Sequence, residues 1–151
     1  MTLPNPFDLR TVLLAKHAQH VVLIHFPIAL FISGVAFGWL GQWKANRTLL
    51  EAAYYNVFLA AVSTIPVLAT GLLAWQLQLE GQPLKGTLSL HLIFASISAA
   101  LIWTVWWLRR SARQGKSGGS ALLLTVEAAA VAVIALTAHL GGILSGVITA
   151  N

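Results

Sequence analysis

The chain has 151 residues, of which 58% are hydrophobic and only 9% are charged, with a formal net charge of +5 and no cysteine. Soluble domains carry about 25% charged and about 45–50% apolar residues, so the composition excludes a soluble domain, as well as collagen-like, coiled-coil, disordered and disulfide-stapled chains. The basic excess does not indicate a nucleic-acid partner, because the Lys and Arg residues lie in short segments beside apolar runs and form no recognition motif.

Four apolar runs follow one another along the chain, and each is long enough to cross a membrane. A transmembrane helix needs about 20 mostly apolar residues to span about 30 Å of hydrocarbon. The runs contain no Lys, Arg or Asp, and they cover residues 20–40, 52–79, 88–108 and 121–148. The sequence therefore predicts four transmembrane helices.

Three short polar links, residues 41–50, 80–87 and 109–120, join these runs. Because such links leave no room for a crossover, consecutive helices are expected to lie antiparallel and side by side. The chain shows no internal repeat. We therefore expect an all-α fold with a single domain over residues 1–151, an integral membrane four-helix up-down bundle.

Positive charge is concentrated in the first and third links. These links carry Lys44, Arg47, Arg109, Arg110, Arg113 and Lys116, against Arg10, Lys16 and Lys85 on the other side. The positive-inside rule then places both links on the cytoplasmic side of the membrane and both termini on its outer side. No small-residue cleavage site precedes the first run, so we expect that run to be retained rather than removed as a signal peptide.

Histidines from three different runs are predicted to lie at one depth in the membrane. His25 lies near the start of the first run, His91 in the first two turns of the third, and His139 in the last third of the fourth. The helical rise then places all three about 8–12 Å to the outer side of the bilayer centre. An ionisable residue at membrane depth marks a functional site by default, and the structural alternative is a neutral histidine bonded to Ser or Thr of a neighbouring helix.

Neutral imidazoles in an apolar bundle are ligands for haem iron, copper or zinc. The lack of cysteine excludes thiolate ligands and thioether-attached haem, but a b-type haem needs only two axial histidines. We expect His25 and His91, on diagonally opposed helices, to be the first axial pair, and His139 to be an alternative ligand or a partner of the propionates. His20, together with His17 at the outer mouth of the bundle, could instead add ligands to a copper or zinc site.

Two other residues inside the runs bear on function. Pro27 is expected to kink the first helix, which either turns His25 inward or is simply tolerated in a membrane helix. Glu127 is the one carboxylate well inside a run. It either forms an ion pair with Arg109 or Arg110, which we favour, or relays protons to a quinone.

Three segments also resemble a known family. They are His20-Val-Val-Leu-Ile-His25-Phe-Pro-Ile-Ala-Leu, the isolated His91, and Ala138-His139-Leu-Gly-Gly142-Ile-Leu-Ser-Gly146, in that order. The chain is similar over nearly its whole length to domain of unknown function 2231, a bacterial family of predicted four-helix membrane proteins. The resemblance implies a small protein of the bacterial inner membrane with both termini in the periplasm, a link to respiratory or cytochrome-containing systems and no settled activity. It also implies His25, His91 and His139 as the residues of interest.

These observations favour a b-type haem protein that transfers electrons between an outside donor or acceptor and a membrane partner, such as a quinone or a larger respiratory complex. No residues for bond-making catalysis are visible, so we expect an electron-transfer or accessory subunit rather than a stand-alone enzyme. The alternative is a non-redox assembly or metal-handling subunit whose histidines bind copper or zinc, or hold the helices together.

Overall fold

A computed structural model of the protein describes residues 18–78, 80–81, 83–115 and 120–147. These residues form helices and turns and include no strand. The helices are α1 (Ala18–Leu23), α2 (His25–Trp43), α3 (Arg47–Gln78), α4 (Gly86–Arg113) and α5 (Ser120–Leu144). Four stretches are long and apolar enough to cross a membrane, α1 and α2 counting together, which confirms the four predicted spans.

The first span is interrupted at Ile24, between α1 and α2. Ile24 keeps helical dihedral angles (φ −60°, ψ −26°), and its N–H donates to the carbonyl of His20 at 3.0 Å. The backbone therefore keeps helical geometry through this position. The irregularity lies one turn before Pro27, which has no N–H to donate to the carbonyl of Leu23.

The helices extend beyond the apolar runs at the end of the bundle that carries the basic links. α2 continues to Trp43 and α3 begins at Arg47, so the connecting loop has three residues rather than the ten of the predicted link. In this loop Ala45 has a φ of 49°, and the Asn46 side chain accepts a hydrogen bond from the Leu49 N–H at 3.2 Å. Hydropathy locates only the apolar part of a helix, whereas this side-chain cap sets where α3 begins.

At the opposite end, α5 stops at Leu144, four residues before the predicted end of the run. Gly146 follows with a φ of 74°, and the Val147 N–H donates to the carbonyl of Gly142 at 3.1 Å. A glycine in the left-handed region closes helices in this way. Position 148 lies outside the described residues.

The spans form an antiparallel bundle in which each helix packs mainly on its neighbours in sequence, while α2 and α5 meet at few positions. Close approach of α2 and α3 depends on Gly34, where a Cβ would lie 2.7 Å from Cγ2 of Val57. Small residues allow such packing where lipid provides no hydrophobic drive between helices. The buried core consists of Phe31, Val35, Val57, Ala60, Ala61, Ile102, Val105, Ala130 and Ile134.

Candidate functional site

All four described histidines lie at one end of the bundle, which we call the histidine end; the opposite end, with the basic links, is the basic end. His20 and His25 lie near the start of the first span, His91 near the start of α4, and His139 near the end of α5. Alternating helix directions bring these positions to the same side. His17 lies outside the described residues.

His91 lies in the seam between α4 and α5, with its ring half-buried. Its Nδ1–H donates to the backbone carbonyl of Thr137 at 3.2 Å. A carbonyl oxygen only accepts, so in the neutral ring the lone pair is on Nε2. The ring lies beside Gly141, where a Cβ would approach its Cε1 to 3.2 Å. Metal-bound histidines are commonly held by such a bond from the other ring nitrogen.

His25 has the same tautomer but a different environment. Its Nδ1–H donates to the carbonyl of Val21 at 2.8 Å, which again leaves the lone pair on Nε2. The side chain is exposed. At 3.6 residues per turn His25 is about 160° around the helix from Pro27 and about 180° from Gly34, both of which are buried. His25 therefore points away from the core.

The other two histidines have different surroundings. His20 packs α1 on α3: its Nδ1 lies 3.2 Å from Oγ1 of Thr70, and a Cβ at Gly71 would lie 3.0 Å from its Cε1. His139 is exposed and lies about 160° around α5 from Thr137, the residue whose carbonyl binds His91. It therefore faces outward, on the side of α5 opposite to the seam.

The structure thus brings the candidate ligands to one end but not to one point. His25 faces outward from α2, His91 faces α5, and His139 faces outward from α5. Within the described ranges, no three His, Asp or Glu residues lie close enough to hold one metal ion. A metal site built from these histidines and His20 therefore stays a prediction.

A buried ion pair joins three spans at the basic end. Nη2 of Arg109 lies 2.6 Å from Oε1 of Glu127, and these side chains are only 7% and 0% exposed. The indole N–H of Trp39 donates to Oε2 of the same carboxylate at 2.9 Å. The predicted pairing of Glu127 with Arg109 is confirmed, whereas Arg110 lies over the Trp106 ring, 5.5 Å from its centre.

Two hydrogen bonds inside the bundle were not predicted from the sequence. Ser98 and Thr137 join α4 to α5 at 2.9 Å, and the indole N–H of Trp103 donates to Oγ1 of Thr64 at 3.2 Å. The bond between Ser98 and Thr137 could have been predicted from the spacing of polar and small residues along α4 and α5. Residues three, four or seven apart form one stripe on each helix, namely His91, Ser98, Ile102, Val105 and Arg109 on α4, and Glu127, Ala130, Ile134, Thr137 and Gly141 on α5.

Comparison with known proteins gives one match. No curated protein and no solved structure is significantly similar to the chain. A family model described as predicted membrane protein (DUF2231) matches residues 16–149, which include every histidine and both members of the buried ion pair. The chain belongs to this family of predicted membrane proteins.

Proposed function

We propose that the protein is a b-type haem-binding membrane protein that takes part in electron transfer, as a subunit of a respiratory complex. The observation that supports this proposal is the tautomer shared by His25 and His91. Each ring donates its Nδ1–H to a backbone carbonyl, at 2.8 Å and 3.2 Å, and presents the lone pair of Nε2. Neutral imidazoles held in this way are the axial ligands that a b-type haem requires.

The donor chemistry fits this group, whereas the two rings face different sides of the bundle in the structure. His25 and His91 would hold the iron, and Gly141 places no side chain beside the His91 ring. The carbonyls of Val21 and Thr137 orient the two rings. When bound, a haem supplies one-electron transfer between a donor or acceptor outside and a membrane partner such as a quinone.

A difference spectrum tests the proposal. Protein purified in detergent from haem-supplemented cells should show a b-type α-band in its reduced-minus-oxidised spectrum. His25→Ala and His91→Ala should each abolish the band, and His20→Asn is the matched control that should retain it, because His20 packs on α3 through Thr70. A wild-type chain without the band, despite adequate haem supply, would contradict the proposal.

One observation favours a second candidate, a non-redox assembly or metal-handling subunit that binds copper or zinc. His25 and His139 are exposed on outer faces of the bundle, where an imidazole at membrane depth needs a partner. This candidate predicts purified protein with copper or zinc by elemental analysis and no α-band. It also predicts that His139→Ala and His20→Asn lower the metal content.

We also propose an orientation, with the basic end in the cytoplasm of a bacterial inner membrane and both termini in the periplasm. The absence of cysteine allows a direct test. Asn46→Cys, in the loop at the basic end, should be protected from a membrane-impermeant maleimide in spheroplasts. Glu80→Cys, in the link at the histidine end, should be labelled, and the reverse pattern would overturn the orientation.

A further inference from the structure

Aromatic and arginine side chains line the contact between α3 and α4 at the basic end. We call them the aromatic row, which consists of Tyr54 and Phe58 on α3 and Trp103, Trp106, Arg110 and Arg113 on α4. Its members on each helix are three or four residues apart and so share one face. The ring centres of Trp103 and Phe58 lie 5.5 Å and 5.7 Å from that of Trp106. None of the four rings is fully buried, so the row presents apolar surface to the lipid.

The two arginines of the row lie at the level of the lipid headgroups. The apolar run of α4 ends at residue 108. The helical rise places the Cα of Arg110 about 3 Å beyond this end and that of Arg113 about 8 Å beyond it. The Arg110 guanidinium lies 5.5 Å from the centre of the Trp106 ring, and that of Arg113 lies 4.2 Å from the centre of the Tyr54 ring. The row thus passes from apolar rings at hydrocarbon depth to stacked guanidinium groups at headgroup depth.

Arg110 carries a charge that no carboxylate of the described residues balances. Glu51 and Glu127 are the carboxylates of the basic end, and they pair with Arg113 and Arg109. The other basic side chains of this end without a carboxylate partner in the described ranges are Lys44 and Arg47. Arg110 is exposed, so its guanidinium can bind an anionic group that approaches from the lipid.

We propose that the aromatic row binds an anionic phospholipid, whose phosphate contacts Arg110 and whose acyl chain lies along Phe58, Trp106 and Trp103. A planar guanidinium binds a phosphate through two parallel hydrogen bonds, and the Trp106 ring stacked on it holds its plane. Basic pockets between transmembrane helices bind such headgroups. A choline headgroup adds a positive charge, which the excess of arginine and lysine at this end disfavours. The site is at the basic end and does not depend on the proposed haem.

Native mass spectrometry of the delipidated protein in a neutral detergent tests this site. The probes are phosphatidylglycerol and phosphatidylcholine with the same acyl chains. The wild-type protein should bind phosphatidylglycerol more tightly than phosphatidylcholine. Arg110→Gln should weaken the binding of phosphatidylglycerol by about fivefold, the contribution of one basic residue near a membrane surface. Lys85→Gln removes the same charge at the histidine end and is the matched control, which should retain wild-type binding.

Equal binding of the two lipids by the wild-type protein would overturn the proposal, and this comparison needs no variant. Equal binding of phosphatidylglycerol by Arg110→Gln and Lys85→Gln, whether both retain it or both lose it, would also overturn it, because the position of Arg110 would then have no effect. Glycerophosphate carries the phosphate without acyl chains and, at millimolar concentration, should displace little of the bound lipid. Complete displacement would mean that the site takes a soluble phosphate and that the acyl chain does not contact the aromatic row.

Discussion

The guanidinium of Arg109 on α4 fills the space that a side chain at Gly38 of α2 would occupy. A Cβ built at position 38 overlaps Nη2 of Arg109 and lies 2.8 Å from its Cζ. The end of an arginine can usually move aside, but this one is held by the buried carboxylate of Glu127. Gly38 on α2 is therefore part of the ion-pair site that Arg109 of α4 and Glu127 of α5 form.

We expect Gly38→Val to destabilise the protein by about 1–3 kcal/mol, the usual cost of overpacking, because Arg109 must leave its position. The measurement is reversible unfolding in mixed detergent micelles. Ala36→Val, on the exposed face of the same helix, is the control and should leave the midpoint nearly unchanged. Equal midpoints for the two variants would show that Arg109 moves at no cost.

Removal of one member of the buried pair should be costly. Arg109→Met or Glu127→Leu alone is expected to lower the free energy of unfolding by about 3–5 kcal/mol, because each leaves a buried charge without its partner. The double variant should cost much less than the sum of the two single changes, which a double-mutant cycle measures.

The surface pair of Glu51 and Arg113 is the matched control for that cycle. Its atoms lie 2.8 Å apart, close to the separation of the buried pair, but the side chains are 49% and 42% exposed. Because solvent screens this pair, Glu51→Gln should lower the free energy of unfolding by only about 0–1 kcal/mol. A cost as large as that at Glu127 would mean that burial is not the cause.

Trp39 provides a third test, of the link between the first span and α5. Trp39→Phe keeps an aromatic ring but removes the indole N–H that donates to Glu127 at 2.9 Å. Loss of a hydrogen bond to a charged group should cost about 1.5–3 kcal/mol. Trp43→Phe, at a side chain that is 81% exposed, should change the unfolding midpoint far less.

At the histidine end, a larger side chain beside His91 is expected to lower the haem content. Gly141→Val places a side chain where even a Cβ lies 3.2 Å from Cε1 of the ring. We expect the ring to be displaced from Thr137 and the haem content, read from the α-band, to fall severalfold. Ala138→Val, on the exposed side of α5, should retain the wild-type content. An undiminished band in Gly141→Val would place the ligand elsewhere.

The spans and their order could be read from the sequence because hydropathy is a property of each residue and its neighbours. The predicted helix ends were less accurate, because hydropathy does not register the cap at Asn46 or the left-handed backbone of Gly146. An ion pair of Glu127 with Arg109 or Arg110 was also predictable, because a carboxylate at that depth needs a cation from a helix end nearby, and the tertiary structure selected Arg109.

Sequence alone determined that histidines from three spans occupy one end of the bundle, because a helix advances a set distance per residue and the links are short. Only the tertiary structure decided where each ring points, since the rotation of a helix about its axis depends on which side chains interlock with its neighbours. This rotation turns His91 toward Thr137 and Gly141 and leaves His25 and His139 facing outward.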